Sequence, residues 1–413
     1  MSEEHKDTPT TTAAQSSATQ PEATTRKMLN AKDDKDTKRK HRPLGLRIIT
    51  FLNDMTMTVA SICAVTLLLC CAVSVYVSPV VFKYASLFGL IFPAAVALTV
   101  LVFILCLVFC LRRSWICLVG LLLVSGSIRA YFPINPFQAA HMPSSDALRI
   151  MTYNTHGTGN VKDSTLQTDY LQYVLDQQAD VFLFQEGSPQ FLEWDSINPR
   201  FRQRYPYCDI PFPSQSTYQG CCSRYPIKRS EIVTHVGSGN AAIAFWIEHP
   251  TKHDILVVNC HLRSNQLTED EREQYSEIVH NSNQAAKQSD QTYNTSRMLA
   301  SKFVKAAELR AHMADTIADY LSRHRGVPTI VCGDFNDTPI SYSCYRVKHC
   351  DLNDAFRMTG NGMGRSFNKD AIAVRIDHAF CSDHFKPISA RIDKLPTWSD
   401  HYPLIVTYEW NEK

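Results

Sequence analysis

Residues 55–82 and 84–111 carry no formal charge. A helix needs roughly 20 apolar residues to cross the hydrocarbon core of a bilayer, and both stretches are long enough. Their centres, Val65-Thr66-Leu67-Leu68-Leu69 and Leu101-Val102-Phe103-Ile104-Leu105, are almost continuously aliphatic. They predict membrane helices over about 55–78 and 85–111. A third uncharged run, residues 114–128, is shorter. Arg129 can snorkel from its end, which extends the third span to about 114–130. The chain is therefore expected to hold a transmembrane region over 44–130 and to place its soluble fold after it.

Charge orients this region. Nine Lys or Arg fall between Arg26 and Arg47, and Arg112 and Arg113 fall between the second and third runs. The positive-inside rule puts both clusters in the cytoplasm. With three spans everything after Arg129 lies on the far side of the membrane; with two it stays inside. Residues 1–43 are polar, with repeats such as Thr10-Thr11-Thr12, and cannot offset their ordering entropy by burial. They are read as a disordered cytoplasmic tail without the layout of a cleaved signal peptide.

The formal charge of +2 is an average of unlike parts. Residues 1–129 hold 14 Lys+Arg and 8 Asp+Glu, or +6; the remainder holds 28 and 32, or −4. The basic excess belongs to the anchor, and a mildly acidic soluble part is a poor general coat for nucleic acid. Six of the 14 Cys lie in the apolar runs. Cys208, Cys221, Cys222, Cys344 and Cys350 lie in loop-like sequence, where an external compartment could oxidise some of them. No Cys-x-x-Cys occurs, which disfavours a structural zinc site.

Residues 143–413 read as one soluble domain that alternates short apolar runs with helical patterns. Strands are expected at 148–153, 180–184, 255–260, 329–332, 374–380 and 399–406. A long helix is expected from about Arg297 to His324, with Phe303, Ala307, Met313, Ile317 and Leu321 on one stripe. Polar residues directly follow the apolar runs: Asn154, Glu186, His261, Asp334 with Asn336, Asp377, and Asp400 with His401. Strand ends are where layered α/β proteins build sites. The polar stretch 266–296 fits no core element and is read as an insertion beside His261, either a lid or a solvated loop.

Converging Glu186, Asp334, Asp377 and Asp400 would repel one another in a cleft unless a cation or protonated histidines balanced them. Oxygen donors favour a hard ion, Mg²⁺, over zinc, and Mg²⁺ suits a phosphate-ester substrate. His261 and His401 then suit acid–base work and contacts to phosphate oxygens. Asp334 and Asn336, two apart, share a face in extended chain. No Gly-rich P-loop and no Gly-x-Ser-x-Gly is present.

The series Tyr153-Asn154, Gln185-Glu186, Ser223-Arg224-Tyr225-Pro226, Asn259-Cys260-His261-Leu262, Gly333-Asp334-Phe335-Asn336, Ile376-Asp377-His378 and Ser399-Asp400-His401 resembles the endonuclease/exonuclease/phosphatase superfamily, over about residues 148–408. That group includes DNase I, abasic-site endonucleases, inositol polyphosphate 5-phosphatases and neutral sphingomyelinases. The resemblance implies a four-layer α/β/β/α sandwich. It implies Glu186 as the main Mg²⁺ ligand (Mn²⁺ being the alternative ion), with Asn154 beside it and Asp400 assisting. It implies Asp334 as the residue that orients or deprotonates the attacking water and Asn336 as a phosphate holder. His401, paired with Asp377, would contact the scissile phosphate, and His261 would stabilise the phosphorane or protonate the leaving group. His378 stands where the family often has Tyr.

A multi-span N-terminus before such a domain resembles bacterial envelope proteins, which implies the inner membrane with the domain on the periplasmic side. The function expected is hydrolysis of phosphate esters by a membrane-anchored enzyme, with lipid head groups or small molecules favoured as substrates. The alternatives are an endo- or exonuclease on DNA or RNA, with Arg224, Lys228 and Arg229 as a local basic patch, and a non-catalytic membrane interaction module. The sequence assigns no oligomeric state.

Overall fold

The computed structural model describes residues 43–136, 142–157, 164–187, 199–213, 218–237, 239–268, 270–274, 289–367, 369 and 374–411. The expected disordered tail lies outside the described residues apart from Pro43. The chain divides into two units, 1–59 and 60–413.

The N-terminal helices are α1 (Leu44–Val73), α2 (Ala85–Phe109), α3 (Ser114–Leu123) and α4 (Ser125–Tyr131). Among the described residues, two helices are long and apolar enough to cross a membrane, and a third span exists if the bent pair ending at Leu123 and Tyr131 counts as one. The first helix starts well before residue 55, because Leu44 to Asp54 continue the helical hydrogen bonding although they include charged residues. The third run is bent by 59° where α4 begins with Ser125-Gly126-Ser127, residues that commonly accompany helix kinks. Small residues set the spacing between helices. A Cβ on Gly120 would meet the Val65 side chain at 2.7 Å, and Thr99 Oγ1 donates to Ala64 O across α1 and α2 at 3.4 Å.

The rest forms β1 (Leu148–Asn154), α5 (Ser164–Asp176), β2 (Val181–Gly187), α6 (Pro199–Arg204), β3 (Tyr207–Pro213), β4 (Tyr218–Ser223), β5 (Ile227–Val236), β6 (Asn240–Ile247), β7 (Ile255–His261), α7 (Ser289–Arg323), β8 (Thr329–Asp334), α8 (Tyr342–Lys348), β9 (Leu352–Asp354), α9 (Ala355–Thr359), β10 (Asp377–Ser382), β11 (Phe385–Ile392) and β12 (Leu404–Trp410). Two six-stranded sheets result, in the orders β11-β12-β1-β2-β4-β3 and β5-β6-β7-β8-β10-β9. Side-chain alternation builds the layers. On β7, Ile255 and Val257 enter the core between the sheets, while Leu256, Val258 and Cys260 meet Met313, Ile317 and Leu321 of α7. On β1, Leu148 and Ile150 face the other sheet, while Met151 and Tyr153 meet Tyr170, Leu171 and Val174 of α5. Both faces of these central strands are covered, so they read as unbroken apolar runs. The architecture is the DNase I-like α/β/β/α sandwich that the resemblance implies.

The long helix begins at Ser289 rather than near Arg297, since its helical hydrogen bonding runs ahead of the apolar stripe on which the expected start rested. All 14 cysteines are free thiols, and Cys208, Cys221, Cys222 and Cys344 lie in regular elements rather than loops. The ends of α1 and α4 and the start of α2 meet the same face of the sandwich. Tyr76 packs edge-on against Tyr345 with centroids 4.8 Å apart. A Cβ on Gly89 would lie 2.4 Å from Ile340 O. Arg375 Nη2 donates to Ala130 O at 2.6 Å.

Candidate active site

Strand register assembles the site. Parallel pairing of β7 with β8 puts His261 beside Asp334, and antiparallel pairing of β8 with β10 puts Asp334 beside Asp377. Three strand ends thus present a His-Asp-Asp row. The close passage of β7 past β8 needs Gly333: its φ is +139°, and a Cβ there would sit 2.0 Å from Cys260 O. From the other sheet, β1 and β2 pair Asn154 with Gln185. Glu186 follows at φ +53°, within a register shift between Phe184 and Gly187 that turns it out of the ladder.

A buried amide clasp beneath this edge joins the sheets. Asn259 Nδ2 donates to Phe184 O at 3.1 Å and Gly220 O at 2.9 Å. Asn259 Oδ1 accepts from Gln185 Nε2 at 2.7 Å, and Gln219 Nε2 donates to Asn259 O at 3.0 Å.

The side chains at these strand ends lie close together. Asn154 Nδ2 bridges Glu186 Oε1 at 3.2 Å and Asp334 Oδ2 at 3.0 Å. Asn336 Nδ2 also donates to Asp334 Oδ2 at 3.0 Å, and Asn336 N donates to Asp334 Oδ1 at 2.8 Å. His261 Nε2 is 3.3 Å from Glu186 Oε1 and 3.9 Å from Asp334 Oδ2. His401 Nδ1 donates to Asp377 Oδ2 at 2.9 Å, and its Nε2 is 3.7 Å from Asp334 Oδ2. Ser399 Oγ donates to Asn154 O at 2.7 Å, which ties the loop carrying Asp400 and His401 to β1.

Burial and charge divide the protons. Burial pushes Asp334 up to about 6, against the opposing charges of His401 and His261. Burial would lower His401, but Asp377 and Asp334 outweigh it and raise it to about 10, so it carries a proton. Burial would raise Glu186, yet hydrogen bonds from His156 and His261 hold it well below the usual carboxylate range.

One ligand atom from each of Asp334, Asp377 and His401 lies within 4.8 Å of the others. This tight group differs from the expected trio of Glu186, Asn154 and Asp400. A protonated His401 is a donor to Asp377 and offers no lone pair, so the group reads as an ion-paired dyad beside Asp334. The expected trio has its own signature. His156 Nδ1 stands 3.3 Å from Glu186 Oε2 and 3.5 Å from Asp400 Oδ1, and the Glu186 hydrogen bond raises its pKa. A half-exposed imidazole thus stands between two carboxylates, and the donor set fits a hard divalent cation.

Three site residues carry weak signals in the sequence. His156 is visible only as a second polar residue after Asn154. Arg272 lies in the stretch read as an insertion, and its Nη1 is 3.7 Å from Asp400 Oδ2. Arg310 interrupts the apolar stripe of α7 between Ala307 and Ala314. That interruption is a readable signal: the side chain is buried and donates to Asp337 Oδ2 at 3.2 Å and Asn265 Oδ1 at 2.9 Å. The supposed basic patch is engaged otherwise. Arg224 pairs with Asp180, Lys228 with Asp254, and Arg229 lies over Trp246.

Comparison with known proteins gives two family matches. The Endonuclease/Exonuclease/phosphatase family matches residues 151–401. A domain of unknown function, DUF8431, matches residues 54–131. No curated protein matches the chain. Similar solved structures include an endonuclease/exonuclease/phosphatase from Beutenbergia cavernae, 15% identical over 64% of this chain and 72% of that one, with a TM-score of 0.45. The human Nocturnin catalytic domain with bound sulfate anion is 17% identical over 64% and 94%, with a TM-score of 0.44. A family protein from Bacteroides thetaiotaomicron is 16% identical over 66% and 100%, with a TM-score of 0.43.

Proposed function

The chain belongs to the endonuclease/exonuclease/phosphatase family of metal-dependent phosphoesterases, and from that premise we propose a membrane-anchored, Mg²⁺-dependent hydrolase of phosphate esters. The observation that carries the proposal is the His261-Asp334-Asp377 row facing Glu186 and Asn154 across the two sheets.

Glu186 and Asp400, with Asn154 beside them, would hold the Mg²⁺. When bound, the ion neutralises charge on the phosphate and polarises its oxygens. Asp334, with its raised pKa, takes the proton of the attacking water. Asn336, pinned by Asp334 and by Leu262 O at 3.0 Å, holds a phosphate oxygen. His401 stays protonated against Asp377 and offers Nε2 to the scissile phosphate. His261 delivers a proton to the leaving oxygen.

In the anchoring part of the proposal, residues 44–130 form three spans in a bacterial inner membrane, residues 143–413 form the catalytic domain, and that domain lies on the periplasmic side. The Lys/Arg clusters before α1 and at Arg112-Arg113 support this, as does the packing of the α1, α2 and α4 ends against one face of the sandwich.

The test is the full chain in detergent against lipid, nucleic-acid and sugar-phosphate esters, with and without chelator. Hydrolysis should need the divalent ion, and Asp334→Ala and His261→Ala should each lower it by at least about 100-fold. Activity that survives both substitutions refutes the assignment.

A further inference from the structure

The cleft over the site has a volume of about 260 Å³, and one wall of it belongs to α2. Ser86, Leu87 and Leu90 face the same space as Glu186, Asp334 and His401, with Phe303 of α7 beside them. A pocket built only for a small polar ester has no use for leucines from an apolar helix. The volume sits just below the usual range for a small-molecule site, enough for a head group and its first carbons but not for a long chain.

The wall continues beyond the cleft. Residues three and four apart share a helix face, so Leu87 leads to Ile91, Ala94, Leu98 and Leu101 along one stripe. Ile91, Leu98 and Leu101 are 42%, 43% and 53% exposed. Val81, Phe82 and Tyr84, just before α2, are exposed as well, and aromatic residues at such a position suit the membrane interface. An unbroken apolar path therefore runs from the catalytic carboxylates down a helix long enough to span a bilayer.

We propose that the cleft takes a membrane lipid phosphate ester sideways from the bilayer, with its phosphate at His261, Asp334 and His401 and its acyl portion against Leu87 and Leu90. This names the substrate class of the phosphoesterase proposed above and rests on that reading. In the step itself, the oxygen of water bonds to phosphorus and the P–O bond to the leaving oxygen breaks. One water proton leaves through Asp334, His261 supplies one to the leaving oxygen, and the products are an alcohol and a phosphate with one ester bond fewer. The Arg272 guanidinium lines the same cleft and suits an anionic head group.

The experiment uses the full chain in nanodiscs of phosphatidylethanolamine and phosphatidylglycerol with Mg²⁺, beside soluble bis(p-nitrophenyl) phosphate and a single-stranded oligonucleotide. The wild type should cleave the bilayer lipid. Leu87→Gln/Leu90→Gln should lower the ratio of lipid to soluble-diester kcat/KM by about 10-fold or more, and Leu87→Met/Leu90→Met should restore it. A lipid with a photoreactive diazirine in its acyl chain should label the segment around Leu87 and Leu90 even with chelator present, a readout independent of turnover. Cleavage of the soluble diester or the oligonucleotide with the bilayer lipid untouched overturns the lipid assignment and leaves the phosphoesterase reading standing. An unchanged ratio in the Gln variant, or labelling spread evenly over the helices, also overturns it. A wild type inactive on all three substrates refutes both.

Discussion

Asn259→Leu tests whether the amide clasp holds the proposed catalytic edge in place. The substitution keeps the approximate side-chain size and removes three hydrogen bonds: to Phe184 O, to Gly220 O and from Gln185 Nε2. Gln185 keeps Thr152 Oγ1 at 3.0 Å, so its amide is not stranded. The carbonyls of Phe184 and Gly220 face each other in the β2–β4 ladder at the point where the register slips, and they lose their shared donor. Each lost hydrogen bond is worth about 1 kcal/mol net, so three cost about 3 kcal/mol. For a domain of this size each kcal/mol lowers the Tm by roughly 2–4 °C, which predicts a fall of roughly 6–12 °C. The same slip aims Glu186, so the variant should also lose about 10–100-fold in hydrolysis or metal affinity. Thermal unfolding by circular dichroism and metal titration by calorimetry read the two effects. A Tm within about 2 °C of wild type, together with unchanged metal affinity, would refute the clasp as the determinant of Glu186.

Two further substitutions probe other parts of the fold. His378 is buried and held down to about 4, first by burial and then by the charge of Arg375, and its Nε2 donates to Asp337 O at 2.9 Å. Between about pH 6.5 and pH 4 the unfolded chain binds a proton that the folded chain refuses, so stability falls as pH falls through that window, by on the order of 3 kcal/mol. Denaturant unfolding at several pH values should show this slope, and His378→Phe should flatten it; an equal slope in both proteins contradicts the assignment. Gly89→Ala should cost about 1–3 kcal/mol, because its new Cβ meets the Ile340 carbonyl at 2.4 Å. A thermal melt unchanged by that substitution would show that α2 does not seat against Ile340.

What the sequence made legible follows from periodicity and position. The strands with both faces covered were visible as apolar runs, and their ends pointed to Asn154, Glu186, His261 and Asp334, whereas Asp377 opens β10. Strands β3 to β6 were not visible as such. β5, for example, reads Ile227-Lys228-Arg229-Ser230-Glu231, a half-exposed edge with no continuous apolar run. The clasp was hidden for a different reason. Asn259 sits one residue from Cys260 in an otherwise apolar strand, and only the facing sheet reveals that its amide bridges two carbonyls. Arg272 was hidden because polar composition reads as solvated loop unless the fold brings it to an acid such as Asp400. The bend at the third helix also escaped, since an uncharged run carries no mark of its hydrogen-bonding break beyond Ser125-Gly126-Ser127.

Arg375 has no solvent exposure and makes no ion pair among the described residues. Its guanidinium lies 4.4 Å from the Phe356 ring and donates to the carbonyls of Met363 at 3.0 Å and Ala130 at 2.6 Å. Ala130 belongs to α4, and Arg375 stands two residues before Asp377. A chain whose last N-terminal helix is misplaced loses a charge-assisted hydrogen bond to a buried guanidinium, at a cost of about 1.5–3 kcal/mol, next to the strand that carries Asp377. Proofreading of assembly is thereby written into the backbone: a correctly seated helix end is a thermodynamic condition for a finished catalytic edge. Cutting the sandwich free between Ala130 and Leu148 would not liberate an intact enzyme, because one of the carbonyls that shelters the Arg375 charge would leave with the anchor.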